Sequence, residues 1–189
     1  MPTLIDRNGP IADGWKWFQS DGEAPSGLPA GAAASRRLIL SHAQWPLHAD
    51  ALAAAGATLG ICLEPADEPA AIVPFFDRIE LVAVRFPAFT DGRGYSTARL
   101  LRQRHGWKGE MRAVGDVLRD QMFYLARCGF DTFDLKDGES VADALRGFGD
   151  FSEAYQAAVD RGPLFRRRPP ATAADLAGRP QTQVPQARW

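Results

Sequence analysis

Five short apolar runs, evenly spaced, constrain this chain more than anything else in it. They lie at Leu38–Leu40, Thr58–Leu63, Ile79–Phe86, Glu110–Val114 and Thr132–Leu135, and their starts are 20, 21, 31 and 22 residues apart. Each interval holds one helix-like segment, which is the spacing of successive βα units. Runs this short and this apolar suit parallel strands covered on both faces. The expected fold is therefore a single α/β domain. Its sheet is open and mostly parallel, with about five strands, flavodoxin-like or Rossmann-like in general form. The alternative is a partial (β/α)-barrel, since five units fall short of the eight needed for closure.

The intervening helices carry readable ends. Ser96 precedes a segment over Thr97–His105 that Gly106 stops, and Asp116 precedes Val117–Cys128, stopped by Gly129. Ser140 opens the last helix, with Val141, Ala144, Leu145 and Phe148 on one side. Outside this region the composition changes. Residues 1–35 read as an N-terminal extension and linker, with Gly14–Phe18 suited to a hairpin or edge strand and Ser20–Ser35 rich in Gly, Ala, Pro and Ser. Residues 36–160 form the expected α/β domain. Residues 161–189 hold five prolines, six arginines and one acid, Asp175, and read as a disordered tail. With a whole-chain charge of −1 and +5 in that tail, residues 1–160 carry −6. Such a balance gives no pull toward nucleic acid or an anionic membrane.

The sequence also excludes several chemistries. Cys62 and Cys128 are 66 residues apart in apolar contexts, and His42, His48 and His105 show no ligand spacing, so no intrinsic iron–sulfur or zinc site is expected. Asp6 and Asp13 interrupt the N-terminus and no apolar run reaches membrane-spanning length. The expectation is a cytoplasmic protein without signal peptide or transmembrane segment.

Ligands of open parallel sheets bind at the carboxyl ends of strands. Here those ends are Ser41 and His42, Glu64, the stretch Arg85 to Ser96, Gly115 and Asp116, and Lys136 and Asp137. The candidate anion or ligand site is Arg85, Asp91, Gly92, Arg93, Gly94, Tyr95, Ser96, Arg119 and Asp120. A Gly92-Arg93-Gly94 loop leading into a helix capped by Ser96 could aim N–H groups at an anion, with arginines adding charge-assisted hydrogen bonds. The same glycines serve equally well in a plain turn, and the full G-x-G-x-x-G is absent because position 97 is Thr. Arg119 lies in the first turn of a helix, where a cation is disfavoured. It therefore calls for a partner, either Asp91 or Asp116 or a bound anion. His42 has the chemistry of a general base and also that of a hydrogen-bonded bystander. No catalytic residue is assigned.

Two motifs carry a resemblance. Phe86-Pro-Ala-Phe-Thr-Asp-Gly-Arg-Gly-Tyr-Ser-Thr-Ala-Arg-Leu-Leu-Arg and Leu118-Arg-Asp-Gln-Met-Phe-Tyr-Leu-Ala-Arg-Cys-Gly-Phe-Asp resemble the bacterial domain of unknown function 934 family over roughly residues 36–155. Members are described as oxidoreductases involved in sulfite reduction. The resemblance thus implies an accessory role in assimilatory sulfate/sulfite reduction, through protein contacts or by binding an anionic small molecule. It implies sulfite reductase or the adenylylsulfate-type reductase as partners. The alternative is an oxidoreductase or small-anion enzyme using a dissociable flavin or nucleotide.

Overall fold

The computed structural model describes residues 3–18, 36–151, 154 and 157–159. The linker expected over Ser20–Ser35 and the tail over 161–189 lie outside these. Seven strands form one mixed sheet: β1 (Thr3–Ile5), β2 (Trp15–Trp17), β3 (Arg37–Ser41), β4 (Thr58–Leu63), β5 (Leu81–Phe86), β6 (Glu110–Gly115) and β7 (Thr132–Leu135). Spatial order is β1-β7-β6-β5-β4-β3-β2, with β2 to β7 parallel and β1 antiparallel to β7. The five expected strands are β3 to β7. The two additional ones come from the N-terminal segment and lie at the two edges.

Because β3 to β7 are sequential parallel neighbours, right-handed crossovers place the connections between them on one face. The connecting helices are α1 (Trp45–Ala54), α2 (Arg93–Arg99), α3 (Met122–Cys128) and α4 (Val141–Gly147), the last following β7. A 3-10 stretch, Pro69–Arg78, joins β4 to β5; Pro69 and Pro74 remove backbone donors, which keeps this connection from becoming an α-helix. Local chemistry sets the ends. Ser140 Oγ accepts the Asp143 N–H at 3.3 Å, and Gly129, at φ +102°, supplies the left-handed turn that stops α3.

Strand alternation sorts the core into two. Leu59, Ile61, Leu63, Val82, Val84, Phe86, Met111, Ala113, Phe133 and Leu135 face the helices, while Trp15, Ile39, Cys62, Leu81, Ala83 and Val114 form a smaller cluster on the other face. The strands are thus buried on both faces, as expected, with the described helices packed on one of them.

The sheet curls into a half-barrel, so the partial-barrel alternative fits it. β1 and β2 are six strand spacings apart, about 29 Å if the sheet were flat. The chain between them first folds back on β1, with Ile5 bridging Pro10 and the Ile11 N–H bonded to Leu4 O at 2.9 Å. Only the steps from Pro10 to Trp15 remain to reach the far edge, a reach of about 18 Å at most. Curling brings the edges within that reach. Asp13, in this strap, accepts a 2.9 Å bond from Arg112 Nη1 on β6, whose Nη2 meets Glu110 at 3.0 Å. Arg112 is 4% exposed, so a charged pair crosses the concavity at its amino-terminal end. Among the described residues no helix is long and apolar enough to cross a membrane.

Candidate functional site

β5 and β6 are parallel neighbours, so the loops after Phe86 and after Gly115 leave from the same carboxyl edge. The residues expected to share a site there bond within three local groups.

The first group is the loop before α2. Arg93 grips Asp91 through two bonds, Nε to Oδ1 at 3.0 Å and Nη2 to Oδ2 at 2.7 Å. The Arg93 guanidinium holds the Asp91 carboxyl below the usual carboxylate range, and the carboxylate raises Arg93 in return. Asp91 Oδ1 also accepts the Arg93 backbone N–H at 3.2 Å. That corrects the expected helix start. The helix begins directly after Gly92, so Ser96 sits inside α2, exposed, and caps nothing. Gly94 has a packing role: a Cβ there would come within 2.6 Å of the fully buried Phe86 ring. Tyr95 lies between Phe86 and Tyr124, with ring centroids 5.1 Å and 4.9 Å away. Burial pushes its phenol up to about 12, while a hydrogen bond with Gln121 pulls the other way.

The second group surrounds Arg119, which opens a 3-10 turn, Arg119–Gln121, ahead of α3. Its partners are neither Asp91 nor Asp116. Nη1 meets Asp120 at 3.0 Å and Nη2 meets Asp150 at 2.7 Å. Asp150 arrives because Gly147 lets the end of α4 press against the Arg119 carbonyl, where a Cβ would come within 2.7 Å. Asp116 instead pairs with Lys136 at 3.1 Å.

Arg85 belongs to the third group, on the concave face, since it alternates with Leu81 and Ala83. Its Nε donates to Glu64 Oε1 at 2.7 Å, and its guanidinium stacks 5.2 Å from the Trp17 ring centroid. Beside this pair, His42 Nδ1 lies 3.3 Å from Asp67 Oδ1, and Asp67 Oδ2 accepts the Glu64 N–H at 2.8 Å. A tautomer that donates from Nδ1 to Asp67 would leave Nε2 as an acceptor. Cys62 lies beneath, fully buried, its thiol pushed up to about 12 chiefly by that burial. It is a protonated core thiol at neutral pH.

Trp17, Glu64 and Asp67 were not among the expected site residues. Glu64 was legible as a strand end, and the β4–β5 register, Leu63 opposite Val84, places the residue after each strand pair side by side. Nothing in the local sequence announces that Trp17 stacks on Arg85. Among the described residues there is no group of three His, Cys, Asp or Glu side chains able to hold a metal ion.

No curated protein matches the chain. Among solved structures, the Vibrio cholerae LapD S helix-GGDEF-EAL structure, described as bound to c-di-GMP, is similar at 17% identity and a TM-score of 0.44. The match covers 55% of this chain, which spans 28% of that one. A likeness at that level carries no argument about fold or function. The model of a family described as bacterial protein of unknown function (DUF934) matches residues 60–165, more than half of the 189 residues, and the chain belongs to that family.

Proposed function

We propose that this chain is an accessory protein of assimilatory sulfate or sulfite reduction, acting mainly through contacts with other proteins. The pathway rests on the family resemblance. Preference for protein contacts over an anion site rests on one observation: Arg85, Arg93 and Arg119 are each bonded to a carboxylate of the chain itself. A sulfite or sulfate ion would have to compete with Glu64, Asp91, or Asp120 and Asp150 for these guanidinium groups. Deleting the gene and comparing growth on sulfate with growth on sulfide or cysteine tests the proposal. Failure on sulfate alone is expected; normal growth without a redundant copy removes the proposal.

A second reading, an oxidoreductase or small-anion enzyme with a dissociable flavin or nucleotide, draws support from the His42–Asp67 pair beside Arg85 and Trp17. A yellow purified protein, or a thermal shift with flavins, adenine nucleotides, adenylylsulfate, sulfate or sulfite, would favour it. A colourless protein that none of these ligands stabilises would count against it.

A further inference from the structure

We infer that the outward face of α2 and the π-helical turn that continues it, Leu100–Arg104, is a docking groove for an acidic segment of another protein. In that segment carboxylates flank an apolar side chain. The inference rests on the protein-contact reading above and supplies its surface. Gly94, Thr97, Ala98 and Leu101 turn inward and are buried. Ser96, Arg99, Leu100 and Gln103 follow the i, i+3, i+4, i+7 pattern and form a second stripe that points outward. With Arg104 these side chains line a shallow, open groove of about 570 Å³.

Charge decides what the groove can accept. From Gly92 to Gly109 the sequence has Arg93, Arg99, Arg102, Arg104 and Lys108 and no carboxylate. Arg93 is held by Asp91. Arg102 is spent on the carbonyls of Trp107, Gly109 and Gly129 and on Asp131. Arg99 is braced by Gln103 Oε1 at 2.9 Å, and among the described residues neither Arg99 nor Arg104 meets a carboxylate. Between them Leu100 is 37% exposed, and Tyr124, whose ring packs on Tyr95, is 43% exposed. Arginine and tyrosine are enriched where interfaces concentrate their binding energy. Two guanidinium groups without a carboxylate partner among the described residues call for carboxylates, and the leucine between them calls for an apolar group. Even with Lys108, which likewise meets no carboxylate among the described residues, three cations are few for a nucleic acid, which needs a run of phosphate contacts.

The test uses the full chain and three fluorescent probes of equal length. One is a peptide alternating Asp and Glu with Leu and Phe, one an Asp/Glu peptide without apolar residues, and one a single-stranded oligonucleotide. The amphipathic acidic peptide should bind most tightly. Its affinity should fall at least about tenfold in an Arg99→Glu/Arg104→Glu variant and several-fold, about threefold or more, in Leu100→Asn. Circular dichroism and thermal melting should show both variants folded, since all three side chains are exposed. The inference is overturned by no binding of the amphipathic peptide, or by equal binding to parent and variants. Equal or tighter binding of either other probe, or self-association of the chain that the Arg99→Glu/Arg104→Glu change abolishes, overturns it as well. Growth separates it from the pathway proposal. A deletion strain that fails on sulfate but is fully rescued by the double variant refutes the groove and leaves the pathway standing. Normal growth of the deletion strain refutes the pathway and leaves the peptide result to judge the groove.

Discussion

Replacing Arg112 by Met tests whether the charged contact across the concavity holds the curl. The methionine fills most of the volume but removes bonds of 2.9 Å to Asp13 and 3.0 Å to Glu110. Removing one partner of a buried pair costs about 3–5 kcal/mol, because the other charge is left without compensation. Here Asp13 is 44% exposed and Glu110 28%, so both can partly rehydrate, and Glu110 keeps its 2.7 Å bond from Thr132. The low end, about 3 kcal/mol, is therefore the expected loss. For a chain of this size that lowers the melting midpoint by about 6–12 °C. Urea denaturation gives the free energy, and amide hydrogen exchange shows where the structure loosens. Exchange should rise first at Trp15–Trp17, since Asp13 ties that edge to β6. A loss below about 1 kcal/mol, the range of an ordinary surface pair, with unchanged protection of β2, would refute the reasoning.

Three further outcomes are expected. Gly94→Ala drives a methyl into the Phe86 ring and should cost about 1–2 kcal/mol in urea denaturation, overpacking exceeding the gain in helix propensity; no loss would show that the ring yields freely. Asp134 is held above the ordinary aspartate range chiefly by burial, with the Arg112 charge opposing. A carboxyl raised in the folded state binds its proton more readily there, so stability falls as pH rises through that window and the penalty is complete above it. Asp134→Asn should accordingly be more stable than the parent at neutral pH, with the gap closing as pH falls through the ordinary aspartate range; a gap independent of pH contradicts this. Iodoacetamide at mildly alkaline pH should leave Cys62 unmodified in the native protein and alkylate it in urea, read by mass spectrometry, because the native thiol is buried and raised to about 12. Rapid native alkylation would show an accessible thiolate.

The middle of the fold was legible because each of β3 to β7 is a short, largely apolar run, and their boundaries shift by no more than a few residues from the pattern. β1 was not legible: three residues give no period to read, and its partner, β7, is far along the chain. Gly14–Phe18 was expected as a hairpin or edge strand, and Trp15–Trp17 takes the edge position. Strand order has no local signature; the short strap from Pro10 to Trp15, together with sequential pairing, produces the curl. At the carboxyl edge the sequence supplied the charged residues but not their partners. Arg119 meets Asp150 only because Gly147 allows α4 to approach, and Arg85 meets Glu64 only through the β4–β5 register. The start of α2 was misplaced because Asp91, and not Ser96, accepts the first helical N–H.

Antiparallel pairing of β1 with β7 also dictates an order of events during synthesis. Residues Thr3–Ile5 leave the ribosome long before Phe133–Leu135 and find their partners only after that strand has been made. The units from β2 to β7 each meet a neighbour just completed, so they can accumulate as the chain lengthens, whereas the opening strand must wait. Until then Leu4 and Ile5, buried in the finished protein, lack the β7 residues they pair with. Ribosome-stalled chains ending near residue 110 should be cut by protease ahead of β2, and chains long enough to expose β7 outside the exit tunnel should resist; equal protection at both lengths would show that the first strand docks elsewhere while it waits.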